Sequence, residues 1–281
     1  MRFLLYSLMA LMVLQAPAAA AGTLDKLRQT GVLKVGYRED AAPFSYKSEI
    51  GEAVGYSVDL CRTIATRLKA DLGLAKLSVD YVPVTTEGRF KAIKDGRIDI
   101  LCGATTATLS RRELVDFSLP TFISGASVLL RADGPDGMKA LSGHKVGVRG
   151  GTTTEEALRN TLTKLSVDAE VVTVADHQDG LEQLEKGAVS AYFGDRAILI
   201  FLAAGSKSRD ILRISEQHFT FEPYALALPL GDSGFRLAVD RTLSRVYRSG
   251  AIETLFRSSF GKEAKPTGLL QALYVISTLP E

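Results

Sequence analysis

The chain has 281 residues, of which 46% are hydrophobic and 23% are charged, so it is long enough to bury the core of one large or two small domains. Its 34 lysines and arginines against 32 aspartates and glutamates leave a formal net charge of +2. This near balance gives no reason to expect nucleic acid or an anionic membrane as a partner.

The first 21 residues have the layout of a secretory signal peptide. Arg2 is followed by a short apolar run, residues 3–14, and then by the small residues APAAAA at 16–21. The apolar run is too short to span a bilayer, and no cysteine near the cleavage region offers a site for a lipid. We therefore expect residues 1–21 to be removed and the mature protein to be soluble and periplasmic.

Short apolar runs alternate with helical patterns along the rest of the chain. The helical patterns include residues 58–72 and 153–165. This alternation is typical of an α/β protein with mainly parallel strands. The predicted strands are residues 32–37, 77–84, 98–102, 145–148, 170–174 and 191–193.

A weak internal repeat favours two similar lobes. Residues 93–103, IKDGRIDILCG, and residues 184–194, LEKGAVSAYFG, each read as a helix end, a glycine stop and a buried strand that ends at a second glycine. Two further strand-like runs, residues 126–131 and 224–230, are interpreted as the two hinge crossings. The predicted lobes are residues 22–124 with 226–281, and residues 125–225.

The most informative segment is CGATTATLSRRELVDFSLP at residues 102–120. It ends a predicted strand, continues through Thr105, Thr106 and Thr108, and then places Arg111 close to these hydroxyls. A guanidinium makes two parallel bonds to a carboxylate, and hydroxyl and turn N–H groups fill its remaining lone pairs. The pattern indicates a carboxylate site, and its alternative is a polar surface loop.

The same segment resembles a known family. GATTATLSR followed by VDFSLP is similar to the signature of periplasmic solute-binding proteins for polar amino acids, the capture subunits of ABC importers. VGYRED at 35–40, VGYSVD at 54–59 and GGTTTE at 150–155 also match, in order. The chain looks closest to the glutamate/aspartate-binding branch. The resemblance implies the type II periplasmic binding protein fold, in which two α/β lobes are joined by two hinge crossings with a ligand cleft between them.

The resemblance also implies a role for individual residues. Arg111 and Thr106 match the family's clamp for the α-carboxylate, and Thr153 opens a helix whose N-terminus can close on the same group. Asp195 matches the aspartate that the family uses for the ammonium group. The alternative for Asp195 is an ordinary helix N-cap.

Selectivity for the ligand's side chain is expected from a second group of residues. Extra arginines that converge on one cleft repel each other unless an anion lies between them, so they favour an acidic ligand. Arg89 could instead be a helix-surface residue, and His177 could be structural or merely exposed. Arg38, Thr86, Arg89 and His177 match positions that the acidic branch uses around the distal carboxylate, and Ala104 stands at a further ligand-binding position.

Two departures from the acidic branch stand out. Ala104 replaces a common serine, and Arg149 adds an arginine to the loop of the second lobe. A hydroxyl contact is lost and a cation is added, so the preference among anionic amino acids could shift.

The two cysteines, Cys61 and Cys102, could form a disulfide in an oxidising periplasm or remain as two buried thiols. Three scattered histidines and the absence of paired cysteines provide no metal-ligand cluster. We expect neither a metal nor a cofactor.

The sequence thus predicts a binding protein, not an enzyme, that captures glutamate or aspartate by lobe closure. We expect a monomer whose partners are the amino acid and an ABC transporter permease in the membrane. One alternative is a dehydratase-like periplasmic enzyme on the same scaffold, with Asp195, Glu222 or His177 as general acid. Another is a sensory module that presents the ligand to a receptor.

Overall fold

The computed structural model describes residues 22–280, and the predicted signal peptide lies outside these described residues. Within this part of the chain, no helix is both long enough and apolar enough to cross a membrane.

The strands of residues 22–280 form two five-stranded sheets and a small three-stranded sheet. In chain order they are β1 (Val32–Tyr37), β2 (Asp40–Ala41), β3 (Ser45–Lys47), β4 (Ala53–Val54), β5 (Ser78–Pro83), β6 (Ile100–Cys102), β7 (Asp116–Ser124), β8 (Ala126–Arg131), β9 (Lys145–Arg149), β10 (Glu170–Val174), β11 (Ala191–Asp195), β12 (Leu212–Ile214) and β13 (Glu222–Leu228).

Helices cover the faces of the two large sheets. In chain order they are α1 (Thr23–Thr30), α2 (Tyr56–Asp71), α3 (Arg89–Lys94), α4 (Leu109–Arg112), α5 (Thr153–Leu165), α6 (His177–Glu185), α7 (Arg196–Gly205), α8 (Ser233–Arg248), α9 (Ala251–Phe260) and α10 (Gly268–Ile276), with short 3₁₀ turns at Met138–Leu141 and Arg209–Ile211.

The two large sheets are built alike, and each is the centre of one α/β lobe. The first has the order β5-β1-β6-β13-β7 and the second the order β10-β9-β11-β8-β12. In each sheet the fourth strand, β13 or β8, runs antiparallel to its neighbours, so the other four strands point the same way. The predicted parallel character therefore holds for four strands of each sheet.

The internal repeat predicted from the sequence corresponds to equivalent places in the two lobes. β6 and β11 are the central strands of their sheets. Gly96 and Gly187, which precede them, both have left-handed backbone angles, with φ of 67° and 73°. Each glycine ends its helix in a conformation that other residues rarely adopt.

The interpretation of residues 126–131 and 224–230 as hinge crossings needs correction. Residues 126–131 form β8, which is hydrogen-bonded within the second sheet, and the second run lies largely in β13 of the first sheet. The chain crosses at Gly125, between β7 and β8, and returns between β12 and β13. A strand with partners on both sides cannot also be the flexible connection, which explains why the crossings lie beside these runs.

Gly125 is required at its crossing by close packing. A Cβ atom there would lie 2.2 Å from the carbonyl oxygen of Thr220, on the returning segment. The two connections between the lobes therefore touch each other.

Cys61 of α2 and Cys102 of β6 form a disulfide, with their Cα atoms 6.4 Å apart. The sequence left this pairing open. The bond ties a core helix to the end of the strand that leads directly into the predicted carboxylate segment.

Candidate functional site

The predicted site residues follow the carboxyl ends of strands on both lobes, where open α/β sheets bind their ligands. Arg38 follows β1, Ala104 and Thr106 follow β6, and Asp195 ends β11. One cavity between the lobes is lined by eight of the nine predicted residues. They are Arg38, Arg89, Ala104, Thr106, Arg111, Thr153, His177 and Asp195.

The cavity is almost fully closed. Its free volume is about 20 Å³, which leaves room for one water molecule but not for an amino acid. A ligand must therefore enter through a more open arrangement of the lobes.

Two threonine hydroxyls from opposite lobes meet at one end of the cavity. The Oγ1 atoms of Thr106 and Thr153 lie 3.2 Å apart. Thr153 is the first residue of α5, and the helix is capped by the preceding Thr152, whose side chain accepts a hydrogen bond from the backbone N–H of Glu155. The N-terminus of α5 therefore adds a partial positive charge at this end.

Arg111 lies at the same end of the cavity, on the short helix α4. Its Nη1 donates to the carbonyl oxygen of Thr106 at 2.8 Å, and its guanidinium lies 5.5 Å from the ring centre of Phe90. Burial lowers the pKa of Arg111, although Glu222 and Asp195 among its acidic neighbours act against this shift. Arg111 is thus a partly desolvated cation beside two hydroxyls, a combination suited to a carboxylate.

Asp195 is half-buried near this end, and its side chain does not cap the following helix. It occupies the N-cap position of α7 but accepts no hydrogen bond from the helix backbone, so the N-cap alternative is wrong. Its Oδ1 is buried and makes no hydrogen bond of good geometry among the described residues, although the hydroxyl of Tyr224 is close enough to interact with the carboxylate, and its Oδ2 lies 3.5 Å from the hydroxyl of Thr154. Burial, together with the nearby charge of Glu222, raises the pKa of Asp195 to about 7.

Arg89 is a second buried cation that lines the cavity. It is only 4% exposed, so the helix-surface alternative is wrong. Its Nη1 donates to the carbonyl oxygen of Thr86, whereas its Nε and the hydroxyl of Thr86 have no hydrogen-bond partner within residues 22–280. Burial lowers the pKa of Arg89 to about 9, and the like charges of Arg111 and Arg38 add to this shift.

Arg38, in contrast, has an acidic partner close by. Its Nε donates to Oδ1 of Asp40 at 2.7 Å, and its Nη2 lies 2.5 Å from the same oxygen. Burial would raise the pKa of Asp40, but Arg38, His177 and Arg149 outweigh it, and the pKa is lowered overall.

His177, the first residue of α6, is buried and lines the cavity, so the exposed alternative is wrong. Its Nδ1 lies 2.7 Å from the hydroxyl of Tyr192. Burial lowers the pKa of His177 to about 4, and the charge of Arg38 adds to the shift, so the ring is neutral at neutral pH. A neutral ring can donate one hydrogen bond from Nδ1 or Nε2.

The sequence suggested Glu222 only for the enzyme alternative, but in the structure its carboxylate lies against two of the predicted binding residues. It is 5% exposed and its carboxylate contacts both Thr106 and Thr153. Its position at the start of the strand β13 offered one signal, an acidic residue within an otherwise apolar run, FEPYALAL at 221–228. Its contact with Thr153 depends on lobe closure, which no local pattern reveals.

The family model of the bacterial extracellular solute-binding proteins, family 3, matches residues 33–262. Among curated proteins, the chain is 32% identical over 263 residues to the L-glutamate/L-aspartate-binding protein of Pseudomonas aeruginosa. The matched region covers 92% of this chain and 87% of the relative. It is 31% identical over 255 residues to the glutamate/aspartate import solute-binding protein of Escherichia coli K12. This match covers 90% of this chain and 84% of the relative. These relatives are binding proteins and not enzymes.

Solved structures show the same two-lobed fold. An ancestral amino acid-binding protein that is a precursor of cyclohexadienyl dehydratase has a TM-score of 0.73 and 28% identity, covering 85% of this chain and all of the other. An ancestral arginine-binding protein bound to glutamine has a TM-score of 0.72 and 27% identity, and the match covers 82% of this chain and 98% of the other.

Proposed function

Because the chain belongs to the bacterial extracellular solute-binding proteins, family 3, we propose that it captures glutamate or aspartate between its lobes and delivers it to the permease of an ABC importer. It acts as a periplasmic monomer after removal of residues 1–21. The return crossing precedes β13, so the lobes of this proposal are residues 22–124 with 222–281, and residues 125–221.

The proposal of an acidic ligand rests on the burial and charge of Arg89. It is buried with a lowered pKa, and Arg111 and Arg38 are the neighbours that lower it most after burial. Whereas Arg38 is paired with Asp40, Arg89 donates only to a neutral carbonyl. A ligand with a carboxylate beside Arg89 would neutralise it and accept a bond from the unpaired hydroxyl of Thr86.

The end of the cavity near Arg111 suits the main-chain groups of an amino acid. Arg111, Thr106 and Thr153 would hold the α-carboxylate, supported by the N-terminus of α5. Asp195 would accept the ammonium group, because its buried Oδ1 makes no hydrogen bond of good geometry among the described residues. Ala104 contributes no hydroxyl, so the ligand's polar groups are left to the other residues.

Lobe closure follows from where these residues lie. Arg111 and Thr106 belong to the first lobe and Thr153, His177 and Asp195 to the second, so one ligand bound to both favours the closed arrangement. The ligand is then the contact that distinguishes the closed state from the open one. The word "import" in the name of the relative from Escherichia coli supports delivery to a permease.

The test is Arg111→Ala, with Arg112→Ala as the matched control, because Arg112 is an exposed arginine on the same helix. Thermal melts are recorded with and without L-glutamate. We expect the wild type and the control to melt higher with ligand, by an amount equivalent to about 2.7 kcal/mol at 100 times the dissociation constant. Arg111→Ala should melt like the ligand-free protein and show no response.

A full ligand-induced shift in Arg111→Ala would contradict the assignment of the α-carboxylate. Mass spectrometry of glutamate and aspartate after incubation with the protein separates a binder from an enzyme. We expect both to be recovered unchanged.

A further inference from the structure

The carboxylate of Glu222 contacts residues of both lobes and of the segment that connects them. Its Oε2 accepts hydrogen bonds from Thr106 Oγ1 at 2.5 Å and from Thr153 Oγ1 at 2.6 Å. Its Oε1 accepts from the hydroxyl of Thr220 at 2.8 Å, on the segment that returns to the first lobe. Thr106 follows the first sheet's central strand and Glu222 itself begins β13 of that sheet, whereas Thr153 opens a helix of the second lobe, so the contact with Thr153 is the one that joins the lobes.

These contacts occupy the two threonine hydroxyl protons that, in the proposed function, are donated to the ligand. A threonine hydroxyl has one proton and can donate one hydrogen bond at a time. When Thr106 and Thr153 both donate to Glu222, neither can donate to the α-carboxylate of an amino acid.

The charge of Glu222 acts on the same site. It is the acidic neighbour that raises the pKa of Arg111 most against the effect of burial, which places it within electrostatic reach of the guanidinium. Glu222 thus relates to Arg111, Thr106 and Thr153 in the way expected of a ligand carboxylate, and a second carboxylate at this end would be repelled.

We propose that Glu222 is an internal competitor of the ligand, a residue that lowers affinity by occupying the two hydroxyls of the carboxylate clamp and must release them when an amino acid binds. The inference rests on the proposed function. Since the α-carboxylate is common to all amino acids, Glu222 sets the overall affinity rather than the choice among side chains. Since it bridges the lobes, it also stabilises closure without ligand.

The test is Glu222→Gln, which keeps the shape of the side chain and removes its charge. Glu216→Gln is the matched control, because Glu216 lies on the same returning segment but its side chain is 93% exposed. Calorimetric titrations with L-glutamate and L-glutamine measure affinity, and small-angle scattering of the ligand-free protein measures lobe opening.

For Glu222→Gln we expect every amino acid that binds the wild type to bind about tenfold tighter, equal to about 1.4 kcal/mol. We also expect a more open ligand-free protein, and neither change in Glu216→Gln. Unchanged or weaker binding by a folded Glu222→Gln would overturn the inference, and weaker binding would mean that Glu222 serves the ligand directly.

If Glu222→Gln does not fold, Glu222→Asp provides the same test, because its shorter side chain cannot reach both hydroxyls. It should also bind amino acids more tightly, and unchanged or weaker binding would overturn the inference. A wild type that binds no amino acid would overturn the proposed function and this inference with it, whereas a binding wild type with an unresponsive variant overturns this inference alone.

Discussion

Arg149 of the second lobe lies against Asp40 of the first, with its Nε 3.4 Å from Oδ2 of the carboxylate. Its Nη1 lies 3.3 Å from Oε1 of Glu87, also in the first lobe. Arg149 is the extra cation in the second-lobe loop, and its partners are acids of the protein itself. It therefore holds the closed lobes together and does not simply add a positive charge for the ligand.

Arg149→Gln should weaken ligand binding about fivefold, because loss of a partly exposed ion pair of about 1 kcal/mol makes closure less favourable. Arg159→Gln is the control, since this exposed arginine pairs with Glu155 within α5. Calorimetric titration with L-glutamate measures both variants. Equal affinity of Arg149→Gln and the wild type would show that the contact does not contribute to closure.

Arg89→Gln should lower the affinity for glutamate about 10- to 100-fold, the value of hydrogen bonds to a charged group, and leave glutamine nearly unaffected. Arg38→Gln should have a smaller effect, because Asp40 already neutralises Arg38. The measurement is the ratio of the two dissociation constants in each variant.

The ligand-free Arg89→Gln protein should also melt higher than the wild type, since it no longer buries a cation that makes no ion pair within residues 22–280. Equal losses of glutamate and glutamine affinity, together with a lower melting temperature, would instead assign Arg89 a structural role.

Binding should release a proton near neutral pH. The pKa of Asp195 is about 7 without ligand, raised by burial and by Glu222, and an ammonium group favours the ionised carboxylate. Affinity should therefore rise with pH up to about 7 and then level off. Titrations at pH 7 in two buffers of different ionisation enthalpy measure the released proton, and Asp195→Asn should release none.

The same shift affects the stability of the ligand-free protein. Between pH 3.8, the ordinary value, and about 7 the folded chain holds a proton on Asp195 that the unfolded chain has lost, so this group makes stability fall as pH rises through that window. The difference in stability between the wild type and Asp195→Asn, measured by urea unfolding across this range, should change in that direction. A difference independent of pH would contradict the shifted pKa.

The disulfide should contribute about 4 kcal/mol to stability, as estimated for a closed loop of this length. Its cysteines are 41 residues apart in the sequence. Replacement of both Cys61 and Cys102 by alanine should lower the midpoint of urea unfolding, and reductant should lower that of the wild type but not of the variant. The estimate would be contradicted if reductant did not change the midpoint of the wild type and if the wild type without reductant had the same midpoint as the variant.

Local patterns predicted the parts of this protein that depend on neighbouring residues. The strand at residues 32–37 and the helix at residues 153–165 have the predicted bounds, since each combines an apolar period with a clear start and stop. The eight predicted residues that line the cavity could be selected from the sequence because they lie in segments that follow strand ends and resemble family motifs.

What the sequence could not predict depends on how distant segments meet. Arg149 and Asp40 are 109 positions apart, and Thr106 and Glu222 are 116 apart. The first pair forms only when the lobes close, and the second joins the segment after β6 to β13 of the same sheet, so neither leaves a local trace. The same reason explains the hinge, because the apolar run at 126–131 does not reveal which sheet provides its partners.

The central claim is that the cavity selects an acidic amino acid, and calorimetric titration tests it most directly. The protein is unfolded in denaturant, dialysed free of any bound ligand, refolded and titrated with L-glutamate, L-aspartate and L-glutamine. We expect at least one acidic amino acid to bind 10-fold or more tightly than glutamine, because a neutral side chain would leave the buried Arg89 unpaired, at a cost of about 2–5 kcal/mol. Glutamine binding as tightly as both acidic amino acids would contradict the claim.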